Sequence, residues 1–200
     1  MLVTEDYNVI VSHVVLKTSV SNKIITQTIE NLNSQENDFL ETYLFLLDAE
    51  AVAGLKHLQA CIFFSIKAFQ QKLNTANSLK AEILLYLAGN RQINKAIQKV
   101  GVSEKTKEML FLCLTKNAKN KNLEEAFFAR FLQNQGIVFS SFAYNILEYH
   151  PKQFQKILKN LEITDKSIEL IVDQSSNQYT YEKVVEKLAI EKSALLNLNK

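Results

Sequence analysis

Apolar residues fall in short runs along the chain, and their spacing changes from run to run. Asn8 to Leu16 (NVIVSHVVL) is β-branched and long enough for one strand. Ser21 then caps a helical pattern with Ile24, Ile25, Ile29 and Leu32 on one face. Asn33 to Asp38 reads as a polar turn, and Thr42 to Leu47 (TYLFLL) as a buried strand ending at Asp48. From Ala49 to about Lys72 the apolar residues are too dense for an exposed helix. Val52, Leu55, Leu58, Cys61, Ile62, Ile66 and Phe69 fit helical spacing, which predicts a central buried helix with Asp48 as N-cap.

Ser78 to Ala88 predicts a second helix with Leu79, Ile83, Leu84 and Leu87 inward, ended by Gly89 in the left-handed conformation. Arg91 to Val100 predicts a short third helix closed by Gly101. Met109 to Leu114 (MLFLCL), a continuous apolar run, reads as an inner strand. Lys116 to Asn122 is polar and loop-like. Helical patterns follow at Leu123–Gln133, Phe142–Tyr149, Gln153–Leu161, Lys166–Val172 and Tyr181–Leu198, with Gly136 to Phe139 offering an edge strand. Strands and helices alternate irregularly. The expectation is a helix-rich α+β fold, a small central sheet packed against several helices, as one domain over residues 1–200 with a mostly helical portion from about Leu123.

Composition narrows this little. At 200 residues, 47% hydrophobic and 22% charged, with one Pro and four Gly, the chain is ordinary and globular, and long helices suit it better than a meander of short strands. Charge is more informative by position than in total. The net is +2, yet residues 1–50 carry a net of −6 and residues 67–107 a net of +6. A run of that kind is by default a solvated helix face, and otherwise a local basic field for an anionic partner. The amino terminus is acidic, without the basic-then-apolar order of a signal peptide, and no apolar run reaches the roughly 18 residues that span a bilayer. The chain therefore reads as a cytoplasmic protein with no membrane partner.

Catalytic and metal signatures are missing from the sequence. The glycines at 54, 89, 101 and 136 stand alone, so no phosphate-cradling loop forms. His57 and Cys61 are four apart on the central helix, but two ligands do not make a zinc site, and a core His57 is the plainer reading. Cys61 and Cys113 sit in apolar runs as small buried hydrophobes. No cofactor, no metal and no catalysis are expected.

The stretch from Asp48 to Val102 carries a resemblance. Its first block, Asp48-Ala49-Glu50-Ala51-Val52-Ala53-Gly54-Leu55-Lys56-His57-Leu58-Gln59-Ala60, is similar to the DA-x-x-V-x-G-x-x-HL-x-x-A segment of the kinase-binding accessory subunits of the KEOPS complex, the TPRKB type. The block Asn74 to Ile93 (NTANSLKAEILLYLAGNRQI) resembles that family's second segment, with the Arg91-Gln92-Ile93 triplet in archaeal form. Asn94 to Val102 continues it, and Val184 to Leu196 is similar to its closing helix. The chain departs from the pattern in its extra length after Thr115 and in Lys80, where relatives often have Arg; that change keeps the charge but loses bidentate phosphate geometry.

The resemblance implies a non-catalytic subunit of the complex that installs threonylcarbamoyladenosine in tRNA. Such a subunit docks on the KEOPS kinase/ATPase subunit and grips the single-stranded 3′ CCA end of tRNA. The residues are compatible with this, because single-stranded RNA needs cations for its backbone and polar or flat groups for its bases. Asn90, Arg91 and Gln92 follow the helix-ending Gly89. Asn74, Asn77 and Lys80 begin the same face, with Lys72 and Lys95 as flanking phosphate contacts. The plain alternatives are a surface salt bridge from Arg91 to Glu82 or Glu104 and solvated lysines. For the partner, Val184, Val185, Leu188, Leu195 and Leu196 form an apolar stripe that either completes the core or binds the kinase. A protein-only adaptor of the kinase, without RNA contact, is the alternative function.

Overall fold

The apolar run predicted to be an inner strand is one, with a paired strand on each side. A computed structural model describes residues 2–3, 7–38, 42–116, 125–146, 148–149, 151–152, 154–174 and 180–198. The elements in chain order are β1 (Leu2–Val3), β2 (Asn8–Leu16), α1 (Asn22–Asp38), β3 (Thr42–Asp48), α2 (Leu55–Gln70), α3 (Leu79–Ala88), α4 (Ile93–Val100), β4 (Glu108–Thr115), α5 (Glu125–Asn134), β5 (Phe139–Ala143), α6 (Gln155–Leu161), α7 (Asp165–Gln174) and α8 (Tyr181–Leu198). This is an α+β chain, as expected. None of these helices is long and apolar enough to cross a membrane.

Two compact units share the chain, each built from two separate stretches: Met1–Ala49 with Gly101–Leu147, and Glu50–Val100 with Glu148–Lys200. The first holds the sheet. β4 pairs antiparallel with β2 on one side and β3 on the other, and β1 and β5 both pair with β2. Met109 to Thr115 are all buried, which is why this strand reads as a run rather than an alternation. Met109, Phe111 and Cys113 join Ile25 and Leu32 of α1 and Phe128, Phe131 and Leu132 of α5 in one core, with the Phe111 and Phe128 rings edge to face at 4.8 Å.

Three expectations change in this unit. Asn33 to Asp38 continues α1 instead of turning, with Ser34 Oγ donating to the Asn31 carbonyl at 2.8 Å. Ile29, expected inward, is exposed. Among the described residues of Phe142–Tyr149 the expected helix is absent: Phe139–Ala143 is a strand, displaced from the predicted Gly136–Phe139, and Ile146 N–H donates to the Val11 carbonyl at 2.8 Å. The free edge of β2 demands ladder partners, and that demand overrides the helical spacing of the local residues. Of the expected Lys116–Asn122 loop, residues 117–122 lie outside those described.

The second unit is helical, with α2 against α3 and α8, and α3 against α4. The central helix begins later than predicted. A 3-10 turn over Ala49–Ala51 precedes an extended step through Gly54, which is the N-cap of α2. Asp48 accepts a 2.6 Å hydrogen bond from the Thr106 hydroxyl instead of capping the helix. The free N–H groups at the start of α2 are met by the buried Glu186 of α8, whose Oε1 accepts from Lys56 N at 2.9 Å and His57 N at 3.4 Å. A Cβ on residue 54 would run into that carboxylate, so glycine is required there by close approach.

His57 is fully buried beside it. Its Nδ1 accepts from Ala53 N–H at 3.2 Å, so Nε2 carries the proton and donates to Ser193 Oγ at 3.1 Å. Burial holds the imidazole pKa down at about 4 and pushes the neighbouring Cys61 thiol up to about 12, the latter offset in part by a hydrogen bond with Ser193. Cys61 and Cys113 are both buried and neither is in a disulfide, as their apolar surroundings predicted.

Candidate nucleic-acid and partner interface

The chain leaves α3 through a tight C-terminal cap that sets the geometry of the proposed RNA grip. Gly89 adopts the left-handed conformation (φ 56°, ψ 36°), with its N–H donating to Tyr86 O and that of Asn90 to Leu85 O, each at 3.1 Å. A Cβ at 89 would also press on Leu161 at 2.8 Å. Asn90 Oδ1 then accepts from Gln92 N–H at 2.9 Å, and the Gln92 carbonyl accepts from Ala96 N–H at 2.9 Å in the first turn of α4. Arg91, Gln92 and Lys95 are exposed and Asn90 half-buried.

Arg91 reaches neither Glu82 nor Glu104. Its guanidinium donates to the Leu196 carbonyl near the end of α8 at 2.7 Å. Lys99 Nζ donates to Asn160 O at 2.6 Å and Ala88 O at 3.4 Å, and Asn160 Nδ2 returns a 3.0 Å bond to Lys99 O. The ends of α3, α6 and α8 therefore meet here, and two cations from the α4 segment satisfy their outward carbonyls, as the macrodipole favours. Gly89, Asn160, Glu162, Lys192 and Leu196 line a groove of about 170 Å³ at this junction.

The remaining predicted RNA contacts sit at the other end of α3. Ser78 Oγ accepts from Ala81 N–H at 3.2 Å as the N-cap. Buried Glu82 accepts from Thr75 N–H at 2.9 Å and Ala76 N–H at 2.7 Å, and Asn74 Nδ2 donates to Ala76 O at 2.9 Å. Asn74 and Lys80 are half-buried, while Lys72 and Asn77 are exposed. The length of α3, about 15 Å, separates Lys72, Asn74, Asn77 and Lys80 from Asn90, Arg91, Gln92 and Lys95. One sequence face is thus two clusters. Among the described residues, no three His, Cys, Asp or Glu side chains come together as a metal site.

The model of one family, kinase binding protein CGI-121, matches residues 17–195. The chain belongs to that family. No curated protein matches it.

The structure divides the apolar stripe of α8, which was expected either to complete the core or to bind the kinase of a CGI-121 protein. Val184, Val185 and Leu188 are buried in the unit's own core with Ile157, Leu161, Ile163 and Ile168, where the core alternative placed them. Leu195 is 45% exposed and Leu196 half-buried. The sequence reading passed over Ile93 and Ile97 of α4, both exposed although α4 has Ala96 and Val100 for its buried face. The signal was present as two isoleucines four apart, additional to the Ala96 and Val100 pair. Arg91 and Leu196, singled out for different partners, are joined by their hydrogen bond.

Proposed function

We propose that this CGI-121 family member is a non-catalytic accessory subunit of the KEOPS complex. It docks on the kinase/ATPase subunit and recruits tRNA by its single-stranded 3′ CCA end, in support of threonylcarbamoyladenosine modification. Family membership supports the kinase contact, for which the exposed aliphatics Leu195, Ile93 and Ile97, with the half-buried Leu196, form the candidate surface. One observation carries the RNA reading: Arg91 is held by the Leu196 carbonyl on an exposed turn between Asn90 and Gln92. A guanidinium has five N–H donors, so one bond to a carbonyl orients it and leaves donors for a phosphate or a base edge. Lys95 lies one turn along, and Lys72, Asn74, Asn77 and Lys80 supply a second contact set further along the strand.

The same bond favours a second reading, a protein-only adaptor in which Arg91 serves α8 alone. Binding of the full chain to intact tRNA and to tRNA lacking its CCA end separates the two. Weaker binding to the shortened tRNA, and loss of that difference in Arg91→Ala, is the expected result. Equal affinity for both RNAs, or a flat salt dependence, sinks the CCA reading. Deleting α8 is unsuited to the kinase test because the helix forms core. Leu195→Asp is the better variant, and unchanged association with the kinase subunit would place that contact elsewhere.

A further inference from the structure

The basic stretch of residues 67–107 is shared between the two units. Lys67 to Lys99 belong to the helical unit, whereas Lys105 and Lys107 belong to the sheet unit. There the antiparallel register of β2 and β4, which sets Val15 opposite Glu108, carries Leu16 and Lys17 past Lys107 and Thr106, and Leu16 N–H donates to Lys107 O at 2.9 Å. Lys17, Thr18, Ser19, Glu104, Lys105 and Lys107 line a cleft of about 450 Å³ at this end of the sheet. Three cations thus come from two segments of opposite overall charge, one of them the acidic first quarter of the chain.

The cleft is built on a fixed turn. Thr106 N–H donates to Ser103 O at 3.0 Å, Ser103 N–H donates to Thr106 Oγ1 at 3.0 Å, and that hydroxyl donates to the buried Asp48 at 2.6 Å. Glu104, the one carboxylate in the lining, accepts from Asn22 N–H at 2.9 Å and so faces the start of α1. The lining offers cations, hydroxyls and aliphatic Leu16, with no ring among these residues on which a base could stack. That chemistry recognises phosphate and sugar and ignores the base.

We propose that this cleft is a sequence-independent binding site for the sugar–phosphate backbone of a nucleic acid, clamped by Lys17, Lys105 and Lys107. The strand in question is tRNA if the proposed function holds, so the inference rests on that reading for its partner but not for its chemistry. The test is binding of the full chain to intact tRNA and to tRNA lacking its CCA end over a range of salt. The wild type is compared with a Lys17→Gln/Lys105→Gln/Lys107→Gln variant and with a control, Lys159→Gln/Lys183→Gln/Lys187→Gln, which removes the same charge from exposed positions of the helical unit.

The cleft variant is expected to lose affinity for both RNAs by about tenfold or more. The slope of log K against log salt should fall by about 2, and the control should change little. An unchanged slope in the cleft variant, or an equal loss in the control, overturns the clamp. Displacement of the RNA by micromolar inorganic pyrophosphate also overturns it, by assigning the cleft to a small phosphate ligand. If removing the CCA end has no effect while the cleft variant still binds weakly, the CCA reading fails and the clamp stands. If the wild type binds neither RNA, both fail.

Discussion

Two helices of the helical unit, α2 and α4, have starts that are finished in opposite ways. At the start of α2 the N–H groups of Lys56 and His57 meet a buried carboxylate from α8, the space is cleared by Gly54, and His57 closes on Ser193. At the start of α4, Asn90 caps its own turn and Arg91 holds one carbonyl, while Arg91, Gln92 and Lys95 stay exposed. The polarity of the first is consumed within the chain and serves the fold. The second leaves polar side chains exposed. Polar residues in a sequence motif therefore divide by where their hydrogen bonds go, and both helix starts lie inside the family-like stretch from Asp48 to Val102.

Stability measurements can break this contrast. The largest effect is expected from Gly54→Ala, whose methyl would displace the Glu186 carboxylate and press on the Tyr149 carbonyl at 3.2 Å. Overpacking and lost charge-assisted bonds together should amount to about 3 kcal/mol or more in urea denaturation. Acid comes next. The unfolded imidazole of His57 takes up a proton near pH 6.5, whereas the folded one resists to about 4, so the unfolded state binds more protons between those values. Stability should hold above pH 6.5 and decline by about 3 kcal/mol as pH falls to 4, with His57→Gln removing that decline.

Glu186→Ala leaves two helix-start donors without their acceptor and should lower stability by about 2 kcal/mol. Arg91→Ala removes one exposed contact to a helix end and should lower it by less than about 1 kcal/mol while weakening tRNA binding. Leu195→Asp should stay within about 0.5 kcal/mol of wild type and act only on kinase association. If Arg91→Ala destabilises the protein as much as Glu186→Ala, the start of α4 is as structural as the start of α2 and the distinction collapses.

The parts legible in the sequence are those decided within a few residues. Asn8–Leu16, the strand from Thr42 and the helix between Ser78 and Gly89 carry their own periodicity and caps, and they fold as read. The start of α2 was not legible because Glu186, its capping group, lies 130 residues from Lys56. Phe139–Ala143 became a strand through the needs of the β2 edge, which no local window contains. The candidate site divides in the same way. The Asn90-Arg91-Gln92 turn follows from the adjacent glycine, whereas its link to Leu196 and the grouping of Lys105 and Lys107 with Lys17 follow from topology.

The carboxylate that completes α2 arrives late in the life of the chain. During synthesis α2 emerges with its first N–H groups open to water, and they stay so while residues 101–147 are made for the other unit and until α8 follows. Neither unit can close before the other has begun, so loop closure over long sequence separations sets the pace of folding. A nascent chain halted before Glu186 would present an unfinished helical unit with apolar surface exposed, the state in which a chaperone or an assembly partner would meet it.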